Sequence, residues 1–368
     1  MTEQEAYIII NLIPGTGTVR IQELITAFGS PKTLLEASLS DIAGQYGISK
    51  KIAENIVNWK KVTNYELEIE LAEKTGTRII TLADREYPEI LKQIYNPPLC
   101  LYIRGTLPED NSKNIAVVGS RRTTRYGQKV TAYIAGAAAD ADWTVVSGLA
   151  YGIDAAAHKA VVEKKGKTIA VLGGGLARIH PQDHIPLAGS IIKHNGAVIS
   201  EFPMNFPPAR WSFPMRNRII SGLSRGLIVI EAGERSGSLI TAKLALEQGR
   251  TVFAVPGEID NPQAKGTNRL IKNGAILTES FNDILEEFSF IPSYAADKKK
   301  KENPKIELTE TEQKIISELR RGTMSIDQLS IVLSLPPGPL LATLMQLQIK
   351  GLVASLPGKK YELKTLLP

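Results

Sequence analysis

Cysteine is nearly missing from this sequence. Cys100 stands alone in 368 residues, which excludes an intrachain disulfide and suits a reducing compartment. Histidine is scarce too, at four residues. Only His180 and His184 have a spacing that suits a shared metal, and Pro181 breaks the helix that would align them. No third ligand clusters with them, so no metal site is expected. No apolar run approaches the ~20 residues a membrane-spanning helix needs. The opening MTEQEAYIII has no basic stretch before its apolar one, so no signal peptide is expected and the chain reads as a soluble cytoplasmic protein.

Absent motifs narrow the chemistry. There is no G-x-x-x-x-G-K-[ST], so a P-loop nucleotidase is not expected. The triple glycine Gly173-Gly174-Gly175 is not G-x-G-x-x-G, and no acidic residue ends the following strand. No nicotinamide or other cofactor is therefore expected. No nucleophile has an evident base beside it, and no catalytic residue is assigned. Asp154 and His158 lie i, i+4 on one expected helix. They fit an acid–base pair, and equally a helix-start aspartate near a buried histidine.

What is present is a series of strands that run into small-residue turns. Ile115–Val118 leads to Gly119-Ser120-Arg121, Thr144–Val146 to Ser147-Gly148, and Thr168–Leu172 to the triple glycine. Leu227–Ile230 leads to Glu231-Ala232-Gly233, and Ser236-Gly237-Ser238 opens the next helix. Small residues at strand ends let backbone N–H groups and helix N-termini approach an anion. In an open parallel sheet such turns line up on the carboxyl edge. The first turn is followed by Arg121, Arg122, Arg125 and Lys129, with no acidic residue before Asp140. That edge should hold phosphate. The net charge of +6 and pI near 9.1 agree with a nucleic-acid partner without requiring one.

The expected fold class is α/β: a Rossmann-like, doubly wound, mainly parallel core between two smaller domains. Residues 1–75 read as a helical domain with hairpins at 12–17 and 45–49, Ser49 capping a helix over Lys50–Trp59. Two such hairpins suit a helix-hairpin-helix (SAM-like) module that touches DNA, or a plain packing domain. Residues 76–290 form the core, with short strands and turns up to 105. Residues 291–305 read as a charged linker. Residues 306–368 read as a winged helix: a helix from Thr309 to about Arg321 with Glu312 in a capping box, a second from Ser325, a third starting at Pro339, then a hairpin to Leu363. That tail has seven basic and six acidic residues, so a protein contact suits it as well as DNA.

In Arg210-Trp211-Ser212-Phe213-Pro214-Met215-Arg216-Asn217-Arg218, cations interleave with aromatics, before a helix expected from Asn217 to Ser221. Guanidinium forks suit phosphates, and flat rings suit unpaired bases. The alternative makes Trp211 and Phe213 core and pairs Arg216 and Arg218 with Glu201 or Glu231.

These segments, with Tyr126-Gly127, Ser147–Asp154 plus His158, Phe213–Ile220, Ser236–Ala242, Phe253–Gly257 and Gly266-Thr267-Asn268, resemble the DprA (Smf) family of DNA-processing proteins from Ile115 to Ser280. The flanking domains resemble that family's optional ones. The resemblance implies a core that binds single-stranded DNA without catalysis, protects it in natural transformation (competence), and hands it to the RecA recombinase. It also implies relief of blockage by single-strand-binding protein, and a homodimer. It places DNA contacts on Gly119, Ser120, Arg121, Ser147, Gly148, Arg210, Phe213, Arg216, Asn217, Arg218, Ser236, Gly237 and Ser238. Two departures sit on the rim: His180-Pro181 replaces the usual Tyr-Pro, and Met204-Asn205-Phe206 replaces a proline/glycine pair. The competing enzyme reading is a phosphoribohydrolase-like nucleotide-processing activity on the same core. Its P-G-G-x-G-T signature is absent, with Pro256-Gly257-Glu258 the nearest stretch.

Overall fold

The computed structural model describes residues 1–15, 18–45, 47–108, 110–289, 309–320, 322–350, 352–356 and 360–363. The chain forms two units, Met1–Ile291 and Pro292–Pro368. The expected linker at 291–305 lies outside the described residues.

The first unit is built on a nine-stranded sheet: β1 Arg78–Thr81, β2 Cys100–Gly105, β3 Asn114–Val118, β4 Thr144–Ser147, β5 Thr168–Val171, β6 Ala197–Ser200, β7 Gly226–Val229, β8 Thr251–Ala254 and β9 Ile276–Leu277. Their order is β1-β2-β6-β5-β4-β3-β7-β8-β9. The seven strands from β6 to β9 in that order pair in parallel, and β2 and β1 extend the sheet antiparallel. The short strands read before residue 105 thus belong to the main sheet. The central strands are apolar and wholly buried, as parallel strands covered on both faces must be.

The N-terminal helices begin with caps that their sequence supplies. Thr2 and Glu5 form a capping box, and Ser30, Ser38 and Ser49 each accept an N–H of the first turn. Helices Glu3–Leu12 and Thr18–Phe28 flank the first hairpin, and Asn55 Nδ2 donates to the Pro14 carbonyl at 3.0 Å, tying the second hairpin's helix to it. Ser49 caps Lys50–Val57, and a separate turn follows at Trp59–Val62. Ile10, Leu34, Ile42 and Ile56 are buried in one cluster with Cys100, Tyr102, Leu172 and Val198 of the sheet region. Each such side chain contributes about 1.5–3 kcal/mol. Position 75/76 therefore marks a change of secondary structure within a shared core.

In the second unit, Thr309 and Glu312 form the expected capping box on the helix Glu310–Leu319. Helix Ile326–Leu333 follows, capped by Ser325. The third helix spans Pro337–Ile349 and starts two residues before Pro339, because a first helical turn tolerates proline. Strands β10 Met324–Ser325, β11 Val353–Leu356 and β12 Lys360–Leu363 form the wing in the order β10-β12-β11. Among the described residues, no single helix is long and apolar enough to cross a membrane.

Candidate nucleic-acid interface

From β3 the chain adds β4, β5 and β6 in one direction, then places β7 on the other side of β3. The carboxyl ends of β3 and β7 therefore flank the topological switch point, where open α/β sheets bind ligands. A cleft of about 610 Å³ opens there. Its walls are the turn Gly119–Arg122 after β3, the turn from Gly233 to the helix Gly237–Glu247 after β7, and the segment Arg210–Asn217. A larger cleft of about 1160 Å³ involves the opposite, amino edge of the strands. There Arg78, Arg85, Arg225 and Arg250 face Glu86, Glu89, Asp110 and Glu287, so it offers an anion no net charge. At the switch point Arg121, Arg122, Arg210, Arg216 and Arg235 face one carboxylate, Asp154. Among the described residues, Arg121, Arg122, Arg210 and Arg235 have no salt-bridge partner.

The helix that carries the cation–aromatic segment runs over Ser212–Gly222, longer than the expected Asn217–Ser221. Pro214 falls in its first turn, where the missing N–H costs nothing. The Ser212 hydroxyl donates to the Gly173 carbonyl and accepts from Ala209 N at 3.1 Å, pinning the helix start to the triple-glycine turn. Phe213 is half-buried, its ring centre 5.4 Å from the Arg121 guanidinium and 6.1 Å from the His180 ring. A pendant cavity of about 80 Å³ lies between Phe213, Arg121, Gly148, Tyr151, His180 and Arg216.

Arg216 is buried at the floor. Its guanidinium donates to the carbonyls of Gly148, at 2.6 Å, and Val171, and its Nε to Asn217 Oδ1 at 3.2 Å. A Cβ at position 148 would sit 2.5 Å from that guanidinium, so a side chain there would have to push Arg216 off its place at the floor. Burial lowers the Arg216 pKa to about 10 against the opposing pull of Asp154, and it stays charged at neutral pH. Burial raises Asp154, while Arg216 opposes the shift.

Three expected contact residues do not line the cleft: Gly148, Ser147 and Arg218. Ser147 is buried and donates to the Val117 carbonyl at 2.6 Å. Arg218 is buried in a two-pronged ion pair with Glu201. Among the described residues, Glu231 pairs with no arginine. It accepts from Thr123 Oγ1 at 2.8 Å and from Thr124 N at 2.9 Å, fixing the start of the helix Arg125–Asp140. His158 pairs with Thr168 Oγ1 at 2.7 Å, and burial, then Arg216, push its pKa down to about 3. It forms a core contact and no hydrogen bond to Asp154. The cleft does gather Gly119, Ser120, Arg121, Arg210, Phe213, Arg216, Asn217, Ser236, Gly237 and Ser238, while Gly148 lines the pendant cavity. It adds Arg122, read above only as one cation of the phosphate-holding edge, and Arg235, which had no assigned role. The signal for Arg235 was its place directly before the Ser236 turn.

The family model of DNA recombination-mediator protein A matches residues 78–289, and that of the DprA winged helix domain matches residues 299–359. Protein Smf of Escherichia coli is 37% identical over 324 residues, covering 85% of this chain and 84% of that protein. The X-ray structure of DNA processing protein A from Streptococcus pneumoniae superposes with a TM-score of 0.67 at 35% identity, over 79% of this chain and 99% of that one. DNA processing protein A from Helicobacter pylori, solved to describe its single-stranded DNA binding mode, gives a TM-score of 0.51 at 28% identity, over 57% and 95%. The fold around the switch point and the matches across core and tail agree: the chain belongs to the DNA recombination-mediator protein A (DprA/Smf) family.

Proposed function

We propose that the switch-point cleft binds single-stranded DNA without sequence preference and without catalysis, and that the protein acts as a recombination mediator. One observation carries this reading. A single cleft combines five arginines, one carboxylate and a half-buried phenylalanine. Phosphates take the forks and the helix N-terminus at Ser236–Ser238, and an unpaired base takes the ring. Gly119, Ser120, Arg121, Arg210, Phe213, Arg216, Asn217 and Ser236 to Ser238 are the proposed contacts. Gly148 and Ser147 shape the floor, and Arg218 with Glu201 holds the helix that carries Phe213. The Helicobacter pylori relative, described by its single-stranded DNA binding mode, supports the choice of ligand.

Protection of the strand, its handover to the RecA recombinase, relief of single-strand-binding protein blockage, and action as a homodimer in the cytoplasm complete the proposal, on the strength of the family. Gel shifts with single- and double-stranded DNA, with and without RecA, test it. Preference for the single strand and affinity falling with salt are expected. If three to five phosphates are held, the log–log salt slope should be roughly −2 to −3.5, from about −0.7 per phosphate. Equal affinity for blunt duplex, or turnover of a nucleotide in a hydrolysis assay, would overturn the non-catalytic single-strand reading.

A further inference from the structure

We propose that Trp211 is a second base-stacking platform, outside the cleft and one residue beyond Arg210, for the nucleotide leaving the site. The proposal rests on the single-strand reading above. Trp211 does not line the cleft, yet it is 55% exposed and follows directly on Arg210, which does. An exposed indole has a cost in water, and its amphipathic plane is suited to a nucleobase.

The platform is built to stay in place. Phe202 and Phe206 stack at 4.6 Å with planes 14° apart. Trp211 stands edge-to-face against both, at 6.0 and 5.7 Å with interplanar angles of 78°. The loop that supplies these rings is anchored from three sides. The buried Glu68 carboxylate accepts Met204 N at 2.7 Å. Asn11 Nδ2 donates to the Glu201 carbonyl at 3.1 Å. Gly175 N donates to the Phe206 carbonyl at 2.9 Å. The N-terminal helices thus grip the loop that positions the indole, and little ordering is left to do on binding. Phe213 and Trp211 are two residues apart at a helix start, so their side chains diverge. Phe213 lies in the cleft against Arg121, and Trp211 stands beyond it. A strand held at Arg210 passes from one ring to the other.

The occupant is an unpaired base because the surface continues from a cleft rich in unpaired arginines, and a stacked base needs no hydrogen-bond code. The test uses the full-length chain, an oligodeoxythymidylate and an abasic strand of equal length. Binding of the oligodeoxythymidylate should quench tryptophan emission in the wild type, and the quench should vanish in Trp211→Phe, which serves as the blank for Trp59 and Trp143. Trp211→Ala should weaken oligodeoxythymidylate binding about 5- to 150-fold, from roughly 1–3 kcal/mol per stacked base, with an unchanged salt slope. Trp211→Phe should retain most of the affinity, and all three proteins should bind the abasic strand alike. A Trp211→Ala protein that binds oligodeoxythymidylate as tightly as the wild type, or loses equally on the abasic strand, overturns the platform. So does unquenched emission, the result expected if this surface serves a protein partner. A wild type that binds no single strand at all removes the cleft reading together with it.

Discussion

The Arg121 guanidinium lies over the Phe213 ring, 5.4 Å from its centre. One side chain comes from the turn after β3 and the other from the helix Ser212–Gly222, so the contact spans the cleft. At an exposed site such a pair is worth about 0.5–1 kcal/mol. Each side chain therefore holds the other in position. Arg121→Ala should weaken single-strand binding by about 1.5–3 kcal/mol, the range for a hydrogen bond to a charged group. Arg121→Lys should recover only part, because lysine lacks the planar fork. Melting temperatures should barely move for either. An early-melting Arg121→Ala protein would make Arg121 a structural residue.

Arg210 and Phe213 should separate in salt titrations. Stacking barely depends on salt, whereas a phosphate contact does. Phe213→Ala should weaken binding at every salt concentration and leave the slope alone. Arg210→Ala, at an exposed cation, should flatten the slope by about 0.7, one phosphate on a single strand. Identical slope changes in the two variants would defeat this division of labour.

The buried pair Arg218–Glu201 should matter to stability first. Its N–O distances are 2.8 and 2.6 Å, and its side chains are 9% and 4% exposed. Removing one partner leaves a buried charge alone, at a cost of about 3–5 kcal/mol. Glu201→Ala and Arg218→Met should each unfold at lower denaturant. The molecules that remain folded should keep the wild-type salt slope. A stable Arg218→Met protein with a flattened slope would return Arg218 to the DNA-contacting set.

Much of this was legible in the residues, for definable reasons. Glycine turns after apolar runs marked the carboxyl edge, because strand ends that admit an anion need small residues. Caps at Ser49 and Thr309 were visible because a hydroxyl before a helix has one common use. Burial was not visible. The sequence left Arg218 open between a phosphate and Glu201 or Glu231, and the long-range approach of Glu201 assigns it to the core. The helix start at Ser212 was hidden by Pro214, which reads as a breaker until its place in the first turn is known. Ser147 reads as part of a glycine turn like the others, but it ends β4, and the neighbouring strand's Val117 carbonyl claims its hydroxyl.

Removing residues 292–368 should leave a folded protein that binds single-stranded DNA. The cleft's residues all fall within the unit Met1–Ile291. The near-balanced charge of the tail gives it little to offer a phosphate. Binding lost from a soluble truncated core, with its melting unchanged, would move the DNA site to the winged helix.

His158 should give the protein an acid-labile window. Its folded-state pKa lies near 3, against 6.5 for a solvated histidine, because burial and the charges of Arg216 and His184 disfavour the imidazolium. Between those values the unfolded chain binds a proton that the folded chain refuses. Stability must then fall as pH drops through that range. Asp154 acts in the opposite sense. Its raised pKa lets the folded state take a proton first, which favours folding on acidification. Other carboxylates also enter the total, so the informative quantity is the difference between wild type and His158→Gln. From about pH 6.5 to pH 4 the wild type should lose roughly 3 kcal/mol more than the variant, at about 1.4 kcal/mol per pH unit. The variant starts lower, because the contact with Thr168 Oγ1 is changed, but its profile should be flatter. Chemical denaturation at a series of pH values measures both curves. Parallel curves would mean that His158 accepts its proton in the folded state and is not the neutral core residue described above.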